Sequence, residues 1–146
     1  MHQMNWRRRQ AGVTLMELMA VIVILGILGV IAIPGYQRYV MRAHRGEAKA
    51  ALLRLQTNQE RFYLNNRTYG TVDDLVAENL LEAGALSERG SYVITIAEAN
   101  ATTYSATATP VEGGAYDMRE DEQCTSFSIT AQGVRTATGS DAANCW

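Results

Sequence analysis

The feature that most constrains this chain is an uncharged, apolar run near its start. Leu18–Tyr36 comprises 19 residues without a charged side chain and is rich in Val, Ile and Leu. At a rise of about 1.5 Å per residue, roughly 20 apolar residues cross a bilayer core of about 30 Å. The run therefore predicts one membrane-spanning helix, and the residues after position 40 suffice for one further domain at most.

The residues that flank this run distinguish a cleaved secretory signal from a membrane anchor. Arg7–Arg9 precede it, and no acidic residue occurs before Glu17. The run is longer than the roughly 7–15 apolar residues of a signal peptide, and Pro34-Gly35-Tyr36 follows where a cleavage site of small residues would stand. Because arginines stay on the cytoplasmic side, we expect a single-pass membrane protein with an exported C-terminal domain.

The net charge and the apolar content of the chain exclude two other classes of protein. Lys and Arg number 13, Asp and Glu number 15, and 47% of the residues are apolar. A strongly basic nucleic-acid-binding protein would carry an excess of positive charge. A disordered chain would have fewer apolar residues.

Glu17 is an acidic residue placed at the start of an apolar run. A carboxylate within hydrocarbon costs at least about 2.5–3.5 kcal/mol on insertion scales, so an acid in that position is a candidate functional residue. The alternative is that Glu17 lies in the headgroup layer and is simply hydrated. The physical argument alone leaves both interpretations open.

The residues around Glu17 form a pattern together with the end of the apolar run. They read Gly12-Val13-Thr14-Leu15-Met16-Glu17 and then, at the end of the run, Ile33-Pro34-Gly35-Tyr36. This pattern resembles the class III signal of type IV prepilins and pseudopilins. The resemblance implies that a prepilin peptidase removes residues 1–12 as a basic leader, cutting between Gly12 and Val13, and that Val13 is then N-methylated. Residues 13–40 would form the transmembrane and assembly half of a long helix, and residues 41–146 the exported pilin domain.

The same resemblance makes Glu17 and Thr14 the assembly residues. Cleavage frees a charged amine at Val13, four residues before Glu17. Pairing between this amine and the Glu17 carboxylate removes most of the cost of placing either charge in an apolar filament core. We therefore expect the pair to set the axial register of the subunits.

The middle of the apolar run carries residues that weaken a helix. Pro34 lacks an amide hydrogen and clashes with the preceding turn, so we expect a kink there. Gly26 and Gly29 each destabilise the helix by up to about 1 kcal/mol relative to Ala. In the pili that this chain resembles, the corresponding stretch is often partly melted, so we expect local melting here as well.

Beyond the membrane segment, the periodicity of apolar residues predicts an α+β domain. One helix over residues 13–65 is predicted, because five residues beyond the membrane segment recur at helical spacing. They are Ala48, Leu52, Leu55, Gln59 and Phe62. The charged side chains Arg45, Glu47, Lys49, Arg54 and Glu60 fall on its other faces, and His44 is interpreted as a surface residue. A capping-box pattern at Thr71 and Asp74 predicts a short helix that ends near Ala83.

Alternation of apolar and polar residues predicts the strands of the domain. They cover residues 92–97, 103–108, 126–131 and, after a turn at Gln132-Gly133, residues 134–137. A small antiparallel sheet with one apolar face needs a cover, which the long helix supplies. The predicted fold resembles the pilin ladle, in which the long helix packs on a sheet of three to four strands.

The two cysteines, Cys124 and Cys145, lie in the last part of the chain. In an exported domain an even cysteine count predicts a disulfide. The alternatives are two free thiols or a metal site, and two cysteines without a nearby histidine leave zinc short of ligands. The loop that they enclose resembles the D-region of type IV pilins. The ending from Cys124 to Trp146 resembles that of PilE-like minor pilins.

Three further groups of residues are candidate binding sites. The acidic loop of Asp117, Glu120, Asp121 and Glu122 is either a calcium site or a solvated loop, and we predict no metal and no cofactor. A small basic patch is conceivable from Arg89, Arg119 and Arg135. Without the leader, 10 basic and 15 acidic residues remain, which disfavours DNA as a partner. No residue is assigned a catalytic role, since no nucleophile has a plausible base beside it.

The predicted function is therefore that of a structural subunit and not of an enzyme. We interpret the chain as a minor pilin of a type IV pilus, serving pilus biogenesis, adhesion and twitching motility. Its expected partners are other pilin subunits, the prepilin peptidase, the inner membrane and the pilus assembly machinery. The precursor would be a single-pass inner-membrane protein with a periplasmic C-terminal domain, and its final location would be the pilus on the cell surface. The alternatives are a pseudopilin of a type II secretion system and a DNA-uptake minor pilin.

Overall fold

The chain forms one long helix, one short helix and four strands, in that order. The computed structural model describes residues 12–113 and 116–146. Helix α1 spans Leu15–Asn66 and helix α2 spans Val72–Ala77. The strands are β1 (Tyr92–Ala97), β2 (Ser105–Pro110), β3 (Ser126–Thr130) and β4 (Arg135–Thr138). The predicted leader lies outside the described residues except for Gly12.

The chain divides into two compact units, residues 1–38 and residues 39–146. In the first unit, the large apolar side chains of α1 are exposed on every side of the helix. An 18-residue window of this helix has a mean hydropathy of 2.8, so the segment is long and apolar enough to cross a membrane. A helix that is apolar all round requires an apolar environment.

The residues expected to weaken α1 all lie inside it. Gly26, Gly29 and Pro34 occur within the 52 residues assigned to the helix. The helix assignment continues through all three positions. The kink at Pro34 and the local melting around the glycines remain predictions.

The part of α1 that belongs to the second unit packs on the sheet through a buried stripe. The five predicted positions from Ala48 to Phe62 are all buried, which confirms the periodicity. The interpretation of His44 as a surface residue is wrong, because His44 is also buried. It lies four residues before Ala48, and residues at that spacing share one face of a helix.

The sheet is a meander in the order β1-β2-β3-β4, and every neighbouring pair is antiparallel. The register aligns Ile94 with Ala108, Ala108 with Phe127, and Phe127 with Ala137. These residues belong to the core face of the sheet, whereas Ser and Thr dominate the other face. The four-stranded sheet under α1 confirms the predicted α+β fold.

Strand β2 begins two residues later than predicted because a side chain closes the preceding turn. Asn100 Oδ1 accepts hydrogen bonds from the backbone N–H groups of Thr102 and Thr103 at 2.9 and 3.1 Å. These residues are therefore part of an Asx turn. The turn between β3 and β4 is as predicted, with Gly133 at a positive φ of 77°.

Helix α2 starts as predicted and ends early. The capping box is present, since Thr71 Oγ1 accepts the N–H of Asp74 and the Asp74 carboxylate accepts the N–H of Thr71. The predicted end near Ala83 is wrong, because Asn79 has a positive φ of 56°. The N–H groups of Leu80 and Leu81 then both bond to the carbonyl of Leu75.

Cys124 and Cys145 form a disulfide, as predicted. Both residues are buried against the core beside the sheet. The bond closes a loop with a sequence separation of 21 residues, for which the chain-entropy argument gives about 3 kcal/mol of stability.

Removal of this disulfide is expected to lower the free energy of unfolding by about 3 kcal/mol. The measurement is urea unfolding of the processed full chain in detergent, with and without reductant. A Cys124→Ser/Cys145→Ser variant serves as the control, since it should unfold at the lower urea concentration whether or not reductant is present. An unchanged midpoint on reduction of the native protein would contradict the prediction.

Candidate functional sites

The N-terminal signal is the first candidate site, and its residues form the first turn of α1. Thr14 Oγ1 accepts a hydrogen bond from the backbone N–H of Glu17 at 3.2 Å. This is half of a capping box, and it places the Glu17 carboxylate at the positive end of the helix dipole. Val13 directly precedes this turn, so an amine freed at Val13 would lie next to Glu17. Cleavage, methylation and the pairing of the two charges remain predictions.

A buried ion pair joins α1 to the segment that directly precedes Cys124. The Arg45 guanidinium donates to both carboxylate oxygens of Asp121, at 2.5 and 2.7 Å, and to Gln123 Oε1 at 3.0 Å. Asp121 also accepts the backbone N–H groups of Gln123 and Cys124. The two interpretations of Asp121, as a calcium ligand or as part of a solvated loop, are both wrong, because its carboxylate is buried and fully used inside the protein.

Asp117 of the acidic loop is held by its own arginine, whereas Glu120 and Glu122 are exposed. Hydrogen bonds from Arg119 hold the pKa of Asp117 at about 2, and Arg119 also lies 3.4 Å from Glu112. Met118, between the two paired residues, is buried in the core. Within residues 12–113 and 116–146, no group of three His, Cys, Asp or Glu side chains comes together as a metal site.

A second polar cluster surrounds His44. Its ring stacks on Tyr116 with centroids 5.3 Å apart. His44 Nδ1 lies 3.2 Å from a Glu47 carboxylate oxygen and 3.3 Å from Ser91 Oγ. Both partners face the same ring nitrogen, whereas a nucleophilic triad uses the two nitrogens for different partners. The geometry thus differs from that of a triad. The cluster instead links α1, through His44 and Glu47, to the residues that precede β1.

The second oxygen of Glu47 is also held. It accepts hydrogen bonds from Ser87 Oγ at 2.5 Å and from the N–H of Arg89 at 2.8 Å. Burial alone would raise the pKa of Glu47, but these hydrogen bonds outweigh it, and the pKa lies below its ordinary value of 4.5. The ionised carboxylate is thus the form that the folded state prefers.

We expect Glu47 to contribute stability that is lost in acid. Because its pKa is lower in the folded chain, this contribution is complete above pH 4.5 and disappears as the pH falls through the folded pKa. The difference in unfolding free energy between the native chain and Glu47→Gln should therefore shrink between pH 5 and pH 3. A difference that stays constant over this range, measured by urea unfolding, would contradict the prediction.

The three arginines proposed as a basic patch do not form one. Arg89 lies in the loop before β1, at one edge of the sheet, and Arg135 lies on β4, at the opposite edge. Arg119 is neutralised by its carboxylate partners. Arg135 belongs instead to a different cluster, which contains a second cation.

That cluster, here named the basic edge, consists of Lys49, Phe127, Arg135 and Trp146. The rings of Phe127 and Trp146 meet edge to face with centroids 6.0 Å apart. Lys49 Nζ lies 5.9 Å from the centre of the Phe127 ring, and Arg135 Cζ lies 5.5 Å from the centre of the Trp146 ring. Cation–π contacts of this length hold the two cations near the aromatic pair.

Arg45, Glu47 and Lys49 have structural roles that their predicted positions on the polar faces of α1 do not reveal. All three are only partly exposed. A signal was present, because Arg45 and Lys49 each follow a buried residue of the stripe by one position and so lie at its border. Side chains at such borders can extend around the edge of the sheet.

Comparisons with known proteins place this chain in a family. The crystal structure of the Neisseria meningitidis non-core minor pilin PilV matches with a TM-score of 0.49 and 17% identity, over 70% of this chain and 91% of that one. Residues 7–33 match the "Prokaryotic N-terminal methylation motif". Residues 34–128 match the family described as "Type IV minor pilin ComP, DNA uptake sequence receptor". This second match covers well over half of the chain, and the chain therefore belongs to the ComP family of type IV minor pilins.

Proposed function

We propose that this minor pilin is a DNA receptor, which the pilus carries on its surface and which captures DNA for uptake. The observation that carries this proposal is the match of residues 34–128 to a family described as a DNA uptake sequence receptor. The match covers helix α2, strands β1 and β2 and most of β3, and thus lies mainly outside the N-terminal signal that other pilins share. We propose binding, and not catalysis, as the activity of the exported domain.

The N-terminal residues would deliver this domain to the filament. The precursor is held in the inner membrane by α1, with Arg7–Arg9 in the cytoplasm and the C-terminal domain in the periplasm. The prepilin peptidase cuts after Gly12 and methylates Val13. The assembly machinery then adds the subunit to other pilins, with Glu17 pairing to a Val13 amine. The match of residues 7–33 to the methylation motif supports this order of events.

DNA uptake takes precedence here over adhesion and motility, although the chain without its leader has a net charge of −5, which disfavours DNA as a partner. Net charge governs long-range attraction, whereas binding needs only a local group of cations. Adhesion and twitching motility remain predictions, and no observation in the described residues favours a secretion pseudopilin.

Deletion of the gene, followed by complementation, tests the proposed function. We expect the deletion strain to keep its filaments and its twitching motility but to lose DNA uptake, and the native gene to restore uptake. Unchanged uptake in the deletion strain would contradict the receptor role. Loss of filaments would indicate a structural role instead, and loss of protein secretion would indicate a pseudopilin.

Binding by the purified protein gives a second, direct test. Processed full-length protein in detergent is titrated against a pool of random-sequence DNA duplexes, and the bound fraction is sequenced after several rounds of selection. The proposal predicts retention of duplex DNA and enrichment of a short sequence. No retention at low salt would contradict it.

A further inference from the structure

Three arginines of the exported domain lie beside carboxylates, whereas the two cations of the basic edge lie over aromatic rings. Arg45, Arg54 and Arg119 each lie beside a carboxylate. In the part of the chain that the structure describes, Lys49 and Arg135 have neither an ion pair nor a side-chain hydrogen bond. Two cations without such partners therefore flank one pair of aromatic rings.

The surroundings of Lys49 disfavour its positive charge. Burial lowers the pKa of Lys49, and the neighbouring Arg45 lowers it further. An anion placed beside the ammonium group would relieve both effects. The site therefore has an electrostatic reason to accept a negatively charged group.

Trp146 fixes the position of the second cation. Its indole N–H donates to the carbonyl of Thr136 at 2.5 Å, which ties the ring to β4. One face of the ring is covered by Arg135, and Phe127 meets it at an interplanar angle of 80°. The indole is thus engaged within the protein, and its role is to hold the exposed Arg135 guanidinium, whose N–H donors suit a phosphate.

A series of short contacts joins the two cations of the basic edge into one group. Three consecutive separations, each 6.0 Å or less, link Lys49 Nζ to Phe127, Phe127 to Trp146, and Trp146 to Arg135. The two cations are therefore no farther apart than three such steps. Phosphates line both sides of the major groove of B-DNA, which is about 12 Å wide, so each of two neighbouring cations can meet a phosphate.

We propose that the basic edge grips the phosphate backbone of duplex DNA, with Lys49 and Arg135 contacting phosphates and Trp146 positioning Arg135. The inference rests on the proposed function and adds the site and the type of contact. Such contacts fix the position of the duplex and do not read its sequence. The selection of a particular sequence would then belong to other residues of the domain.

The test measures how duplex affinity depends on salt. Processed full-length protein in detergent is titrated by fluorescence anisotropy against a labelled 30-base-pair random-sequence duplex at several salt concentrations. We expect Lys49→Gln/Arg135→Gln to weaken binding at least about tenfold at low salt, since each lost charge-assisted hydrogen bond is worth about that factor. The slope of log affinity against log salt should fall by about 0.9 for each phosphate contact, about 1.8 in all.

Arg89→Gln/Arg119→Gln is the matched control, because it removes the same charge from positions outside the basic edge. This control should bind within about twofold of the native protein, as expected when no phosphate contact is lost. Equal losses in the two double variants would overturn the inference and assign binding to net charge. A native protein that binds while Lys49→Gln/Arg135→Gln binds equally well would also overturn it. A native protein that binds no duplex would overturn the proposed function itself.

The positioning role of Trp146 has its own readout. Trp146→Ala should lower the salt slope by about 0.9, as loss of Arg135 alone does. Combined with Arg135→Gln, Trp146→Ala should cause no further loss of duplex affinity. Trp146→Phe should restore most of the affinity, because it keeps an aromatic face for Arg135. A loss from Trp146→Ala that adds fully to that of Arg135→Gln would contradict the role. Circular dichroism of each variant shows that the fold is retained.

Discussion

Replacement of Asp121 by Asn is expected to lower the free energy of unfolding by about 3–5 kcal/mol, the range for removing one partner of a buried ion pair. The side chains of Arg45 and Asp121 are 12% and 1% exposed, so water cannot replace the lost carboxylate. Asn also accepts the N–H groups of Gln123 and Cys124 less strongly than a carboxylate does. The measurement is urea unfolding of the processed chain with its disulfide intact, followed by the fluorescence of Trp146.

Asp117→Asn provides the matched control for this experiment. Asp117 also pairs with an arginine, Arg119 at 2.6 Å, but both side chains are more than 40% exposed. Exposed ion pairs are screened by water and contribute little. We expect no measurable change for Asp117→Asn. If Asp121→Asn were equally silent, the conclusion that this pair anchors the segment before Cys124 to α1 would be wrong.

Replacement of Glu17 by Ala is expected to reduce incorporation of the protein into filaments by at least tenfold. Without the carboxylate, the amine freed at Val13 enters the apolar filament core unpaired, at a cost of at least about 2.5–3.5 kcal/mol. Cells that carry the variant are sheared, and its amount in the filament fraction is compared with that of the native protein by quantitative mass spectrometry.

Two further variants separate this effect from failures of processing. Glu17→Gln keeps the size of the side chain without its charge and should behave like Glu17→Ala. Glu17→Asp keeps the charge and should recover part of the incorporation. In all three, the mass of the membrane-bound form shows whether the leader has been removed. Normal incorporation of a processed Glu17→Ala protein would contradict the role of the ion pair.

The parts of the fold that depend on local periodicity could be predicted from the sequence. The stripe from Ala48 to Phe62, the capping box at Thr71 and the Cys124–Cys145 disulfide are all present as expected. Each of these follows from residue types at fixed spacings or, for the disulfide, from an even cysteine count in an exported domain. The start of β2 could not be predicted, because the Asn100 side chain shifts it by closing a turn.

The polar clusters could not be predicted because their members are distant in sequence. Arg45 and Asp121 are separated by 76 positions, and His44 and Ser91 by 47. No periodicity connects such pairs, and a charged residue at the border of a buried stripe is predicted from the sequence to be exposed to solvent. The basic edge was missed for the same reason, since Lys49 on α1 and Arg135 on β4 meet only through the aromatic rings between them.

The local arrangement of charge is compatible with the proposed binding of a polyanion by a net acidic chain. Among the described residues, many carboxylates are already engaged, as in the pair of Asp121 with Arg45 and the hydrogen bonds from Ser87 and Arg89 to Glu47. Binding at Lys49 and Arg135 would then depend on these local cations more than on the total charge. Affinity for random-sequence DNA should accordingly be modest and strongly dependent on salt.

The central claim, that this chain is processed after Gly12 and carried in a pilus, is tested most directly by mass spectrometry of filaments sheared from the cell surface. The account predicts a peptide that begins at N-methylated Val13, in an amount well below that of the main filament subunit. A chain that still carries residues 1–12, or a processed chain confined to the cell envelope while the filaments lack it, would contradict the account.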